Sequence, residues 1–270
     1  MIRGILVSLI LYVVTFTPGM AANDEFPGRA KYKDVAVMTK SQLADKFNDV
    51  IIVDARSKLE FETLRIKGAI NIPVASKTFK EQVIALRKQS GKPIVFYCNG
   101  RTCYKSYRAA RYARFAKVKN VFAYDAGMFE WAKAYPAHAM LLGTSPIKSN
   151  DIITKNEFSK RLLNPSVFSD KAFVLGKQSV ILDVRDKYQR GAAGFFPGKE
   201  IWVSMDNRSD LEKHILKAKA ENKTLFIYDE VGKQVRWLHY ALKKHNVKEF
   251  YFMEKGAKAY YNQMRKELGI

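Results

Sequence analysis

The feature that most constrains this chain is a pattern that occurs twice. Val50-Ile51-Ile52-Val53-Asp54-Ala55-Arg56 and Val180-Ile181-Leu182-Asp183-Val184-Arg185 are apolar runs of strand length, each ending on Asp-x-Arg. Pro93-Ile94-Val95-Phe96-Tyr97 resembles Thr224-Leu225-Phe226-Ile227-Tyr228, and Val121 to Tyr124 with Gly127 resembles Phe250 to Phe252 with Gly256. Upstream, Thr39-Lys40-Ser41-Gln42 and Thr154-Lys155-Asn156-Glu157 both read as capping boxes that open a helix. The offset is 115 residues between Thr39 and Thr154, 129 between Asp54 and Asp183, 131 between Tyr97 and Tyr228 and 129 between Gly127 and Gly256. A steady offset after one insertion is what internal duplication predicts. The insertion, around Asn164 to Gln178, is polar and turn-rich and is expected as a surface loop.

Strands alternating with helices imply an α/β chain with mostly parallel sheets. Near-continuous apolar strands such as Ile94 to Tyr97 fit a sheet covered on both faces. The breaker-rich join Leu142-Gly143-Thr144-Ser145-Pro146 puts the boundary near Ser145, giving units at 31–145 and 146–270. Each is expected to be a mostly parallel central sheet flanked by helices. Arg3 followed by the 13-residue, mainly apolar run Gly4 to Phe16 and the small residues Gly19 and Ala21 reads as a signal peptide over residues 1–22. That reading places the body in an exported, oxidising setting, the periplasm if the source is a Gram-negative bacterium.

Composition narrows the function. Two cysteines exclude a disulfide-dense scaffold and a four-cysteine zinc site, and His138, His214, His239 and His245 show no metal-ligand spacing. No metal or cofactor is expected. The 47 Lys and Arg against 26 Asp and Glu favour small oxyanions or a phospholipid surface as partners. No nucleic-acid motif accompanies that charge, and there is no phosphate-binding glycine loop.

The chemistry concentrates in Tyr97-Cys98-Asn99-Gly100-Arg101-Thr102-Cys103-Tyr104-Lys105-Ser106. Cys98 sits where a buried strand ends and a short loop leads into a helix. Ligands bind at that edge of an open α/β sheet, and loop and helix-start N–H groups lower a thiol pKa there. Arg101 and Lys105 add full charges, with Arg101 a candidate substrate contact. Arg108, Arg111 and Arg114 read as a solvated helix face, and Phe129 and Trp131 as packing for the next helix. Asp54 and Arg56 are read as structural support for the loop.

These residues resemble a tandem rhodanese-domain sulfurtransferase. The resemblance rests on Val53-Asp54-Ala55-Arg56 through Glu60-Phe61 to Lys67-Gly68-Ala69-Ile70-Asn71-Ile72-Pro73, on Tyr97-Cys98 with Ser106 and Ala109-Ala110, and on Val121 to Tyr124 with Ala126-Gly127 and Trp131. It implies that Cys98 is the catalytic thiol. Cys98 would take a sulfane sulfur from a small anionic donor such as thiosulfate and pass it to a thiol, cyanide or a protein acceptor. Asn99, Gly100, Arg101, Thr102 and Cys103 would form the substrate loop. Two departures stand out: Leu64-Arg65 replaces the usual Gly-His, and the Cys-x-Gly-x-x-Cys loop is about two residues longer than usual. Tyr104 lies where the phosphatase branch of this fold needs Arg, which argues against phosphatase chemistry. Cys103 is a candidate resolving thiol. Asp229 stands in the second half where Cys98 stands in the first, so that half is expected to be inactive in sulfur transfer. Competing readings are a non-enzymatic sulfur carrier or docking module, and thiol–disulfide exchange by Cys98 and Cys103.

Overall fold

A computed structural model describes residues 25–191 and 194–269; the expected signal peptide lies outside the described residues. The strands are β1 (Ile51–Asp54), β2 (Leu64–Ile66), β3 (Ile70–Asn71), β4 (Ile94–Tyr97), β5 (Val121–Tyr124), β6 (Ala139–Leu141), β7 (Leu162–Leu163), β8 (Ser179–Asp183), β9 (Glu200–Trp202), β10 (Thr224–Tyr228) and β11 (Phe250–Met253). One sheet has the order β3-β1-β4-β5 and the other β7-β11-β10-β8-β9. Both are parallel throughout. The fold is therefore α/β, with two parallel central sheets flanked by helices, and β9-β8-β10-β11 runs in the same order as β3-β1-β4-β5. An antiparallel ribbon, β2 with β6, closes the first half.

The central strands are apolar because both faces are covered. In β4, Ile94 and Phe96 enter one apolar cluster, while Val95 and Tyr97 enter another. Ser106, Ala109, Ala110 and Ala113 are the buried stripe of helix Lys105–Phe115, and Val235, Leu238, His239 and Leu242 repeat that spacing in helix Val235–Lys244. The cluster holding Tyr97 and Trp131 continues into the second half through Ile227 and Trp237. Phe129 stacks on Trp237 with ring centroids 5.6 Å apart, and Arg208 reaches back to the Leu59 carbonyl at 3.0 Å and to Glu62 at 3.1 Å. The two sheets thus share one continuous apolar body.

The segment around Asn164 to Gln178 is a helix, Pro165–Leu175, and not the surface loop expected from its polarity. Asn164 caps it by accepting from Val167 N at 2.9 Å, Pro165 starts it, and Phe168 and Ala172 form its buried edge. This also moves the start of the repeat. Val37 bridges Ala123 just before the Thr39 cap, and β7 pairs with β11 just before the Asn164 cap. Asn164 is the positional counterpart of Thr39. The capping box at Thr154 forms as expected, but it opens a separate short helix, Lys155–Ser159.

Candidate active site

β4 delivers the Tyr97-Cys98 pair to the carboxyl edge of the first sheet. The chain then turns, with Cys103 N donating to the Gly100 carbonyl at 2.8 Å, and enters helix Lys105–Phe115. Met128 N donates to the Cys98 carbonyl at 2.9 Å, which ties the loop base to the next helix. Gly127 makes that approach practicable. Its φ is +78°, and a Cβ there would lie 2.3 Å from Gly100 N.

The two thiols have opposite surroundings. Cys98 is wholly buried, its Sγ 3.0 Å from the Cys103 carbonyl oxygen and 3.6 Å from Ser106 Oγ. Burial, then its contact with Cys103, pushes the Cys98 thiol well up. Cys103 is partly exposed. The neighbouring Cys98 thiol and the backbone N–H groups of Lys105 and Asn99 outweigh burial and bring Cys103 down to about 6. Burial therefore favours the protonated form of the inner thiol, while the surroundings of the outer one favour its thiolate. That is the reverse of the accessibility expected for a Cys98 nucleophile and a Cys103 resolving partner.

A buried ionic scaffold fixes the loop. Arg56 Nη2 donates to Asp54 at 2.6 Å and to the Leu64 carbonyl at 2.6 Å, and Nη1 donates to Asn99 Oδ1 at 3.0 Å. Asn99 in turn donates to Glu60 at 2.6 Å, and Lys105 reaches the other Glu60 oxygen at 3.1 Å. Burial works against the Glu60 charge, but Arg56, Lys105 and the Asn99 amide hold its carboxyl at about 2. Asp54 and Arg56 thus brace the loop through Asn99. In the second half Asp183 and Arg185 form a similar pair, at 2.8 Å.

Cys103 opens on a cleft of about 620 Å³ between the halves. Glu60, Asn99, Thr102, Lys105 and Phe129 line it from one side, and Gln189, the 229–234 loop, Arg236 and Trp237 from the other. A volume of this size fits a small organic ligand. The facing loop is closed on itself: the Asp229 carboxylate accepts from the backbone N–H groups of Val231, Gly232, Gln234 and Val235. Ala257 N donates to the Asp229 carbonyl at 2.8 Å, and Gly256, with φ +63°, packs against that carbonyl.

Of the residues expected at the site, Asn99, Thr102 and Cys103 reach the cleft, with Lys105 beside them. Arg101 does not line it; its guanidinium pairs with Glu25 and with Glu130 at 3.6 Å. Arg111 and Arg114 bond to Asp34. Phe129 both packs on Trp237 and lines the cleft. Sequence reasoning missed Glu60, Gln189, Arg236 and Trp237. A signal for two of them was present: Ser57 to Glu60 and Asp186 to Gln189 are capping boxes at matching places after Asp-x-Arg. Among the described residues no group of three or more His, Cys, Asp or Glu is placed to hold a metal ion.

Comparison with known proteins matches part of this chain. Residues 39–134 match the rhodanese-like domain, a stretch that includes both cysteines, Asp54, Arg56 and Glu60. A tRNA uridine(34) hydroxylase of Yersinia enterocolitica is 35% identical over 89 residues, 32% of this chain and 24% of that one. An HTH-type transcriptional regulator of Mycobacterium tuberculosis is 39% identical over 87 residues, 32% of this chain and 36% of that protein. The chain thus spans about a quarter to a third of the length of these curated relatives. Among solved structures, a thiosulfate sulfurtransferase from Pseudomonas aeruginosa aligns over 85% of this chain and 43% of its own, with 16% identity and a TM-score of 0.40. An As-Sb reductase from Leishmania major aligns over 40% of this chain and 86% of its own, with 15% identity and a TM-score of 0.35.

Proposed function

We propose that the chain is a sulfurtransferase whose sulfur-bearing atom is Cys103 Sγ, with Cys98 as the buried thiol that stabilises its charge. One observation carries this reading: Cys103 lines the cleft, whereas Cys98 is wholly buried. The rhodanese-like domain over residues 39–134 supports the reaction class. The Cys103 thiolate attacks the outer sulfur of a small anionic donor such as thiosulfate. The bond between the donor sulfurs breaks, its electron pair leaves with sulfite, and a persulfide forms on Cys103. An acceptor thiolate or cyanide then attacks the outer sulfur, and the Cys103 thiolate departs.

In this reading the second half is a non-catalytic partner that builds the far wall of the cleft. It has no thiol, and Asp229 fills the place a bound anion would take. The leader-like residues 1–22 support an exported location, where a reductant must keep the two thiols open.

The test is mass spectrometry of reduced protein after thiosulfate treatment. Trypsin cuts at Arg101, between the cysteines, so the adduct can be located. A gain of about 32 Da, one sulfur atom, is expected on Cys103 in the wild type and in Cys98→Ser, and nothing in Cys103→Ser. An adduct confined to Cys98 would move the chemistry to the inner thiol, and no adduct at all would end the sulfurtransferase reading. The 3.0 Å approach of Cys98 Sγ to the Cys103 carbonyl favours thiol–disulfide exchange as a second reading. Insulin reduction without any sulfane donor, lost in both single variants, would establish it.

A further inference from the structure

We infer that Arg236, supplied by the second half, recognises the anionic group of whatever reacts at Cys103. This rests on Cys103 being the reacting thiol. The observation behind it is an unbalanced cation. Arg236 stands in the first turn of helix Val235–Lys244 and lines the cleft. Its Nη2 donates to the Ile153 carbonyl at 3.3 Å, and its guanidinium lies 4.6 Å from the centre of the Phe129 ring. Its Nε is buried without a hydrogen-bond partner. Among the described residues no carboxylate lies within 4.0 Å of it. Burial destabilises its charge, pulling the guanidinium below its ordinary value.

None of the cleft carboxylates pairs with Arg236: Glu60 holds Lys105, Asp229 is surrounded by its own loop amides, and Glu230 lies 3.7 Å from Arg185 with its Oε2 buried and without a hydrogen bond. The repeat shows what Arg236 lacks. Glu60 and Gln189 occupy matching places in the two capping boxes. The first half pairs its cation with Glu60. The second half offers neutral Gln189, which also lines the cleft. A half-buried guanidinium without a counter-ion is completed by an anion that enters from outside.

The test compares two alkylating agents of similar size on reduced, full-length protein: iodoacetate, an anion, and iodoacetamide, which is neutral. Any change in Cys103 thiolate content moves both rates alike, so their ratio reports the field felt by the incoming reagent. Arg236→Gln should lower the iodoacetate to iodoacetamide ratio by about three- to tenfold, the effect fading at high salt. Arg236→Lys should restore most of it. Gln189→Glu, which puts a carboxylate on the same wall of the cleft, should lower the ratio in the same direction with Arg236 intact. An unchanged ratio in both Arg236→Gln and Gln189→Glu, equal slowing of both reagents, or a Cys103 closed to both, overturns the inference. Failure of the sulfur-transfer reading would show separately, as absence of the sulfur adduct.

Discussion

The loops that follow β4 and β10 use one backbone design for two ends. Each begins at the carboxyl edge of a parallel strand. Each holds its first carbonyl by a backbone N–H from the next helix, Met128 onto Cys98 and Ala257 onto Asp229. Each packs a positive-φ glycine, Gly127 or Gly256, against the loop. They differ in where the negative charge comes from. In the second loop Asp229, the first residue, folds back and takes four N–H groups. In the first loop burial favours a neutral inner residue, Cys98, and the outer residue Cys103 lines the cleft in surroundings that favour its thiolate. A cradle filled by its own carboxylate is stable and inert. The same kind of cradle, filled by a thiolate that also faces a cleft, can exchange what it holds.

That contrast can be broken first at the filled cradle. Asp229→Ala leaves four N–H groups without their acceptor, and the expected loss is about 2–4 kcal/mol in urea unfolding. The matching change Cys98→Ala removes no amide acceptor and should cost only about 1 kcal/mol. Equal losses at the two positions would mean the loops are held alike. The next largest effect is in reactivity. Cys103, at about 6, should be mostly thiolate at pH 7. Its thiolate fraction should exceed that of an ordinary thiol by about 30-fold at that pH, and its iodoacetamide rate by about two- to threefold, because a lower pKa also weakens the nucleophile. The rate should fall as pH drops through about 6, because protonation removes the nucleophile. A midpoint near 8.5 would show that the outer thiol is not in such a field. The smallest effect lies at the point where the halves diverge in charge. Glu60→Gln gives the first half the residue of the second and releases Lys105, at a cost of about 1–2 kcal/mol at neutral pH. The folded-state carboxyl is depressed to about 2, so the wild-type advantage is present above the ordinary carboxyl range. It is lost as pH falls through about 2, and unfolding compared at pH 7 and pH 2 reads that loss.

Much of the fold was legible because it depends on local pattern. Apolar runs ending on Asp-x-Arg marked β1 and β8, and turns and helices followed them in the expected order. Asn164-Pro165 was misread because the same dipeptide that breaks a chain also starts a helix, and only the burial of Phe168 decides between them. The loop was legible as a place but not as a division of labour. Which thiol is accessible depends on the Cys103 carbonyl turning inward over Cys98, a matter of loop path rather than of residue type. Arg236, Gln189 and Trp237 were missed because the cleft exists only once two distant segments have been set face to face. Arg101 drew attention by proximity in sequence, yet Glu25 and Glu130 claim it.

The seam shared by the two sheets limits how this molecule can be taken apart. Val95 and Tyr97 on β4 and Leu225 and Ile227 on β10 drain into the same oily interior, with Trp131 and Trp237 between them. Removing residues 146–270 would flay the remaining sheet along one side and leave its greasy underside to the solvent, so neither portion can shed the other.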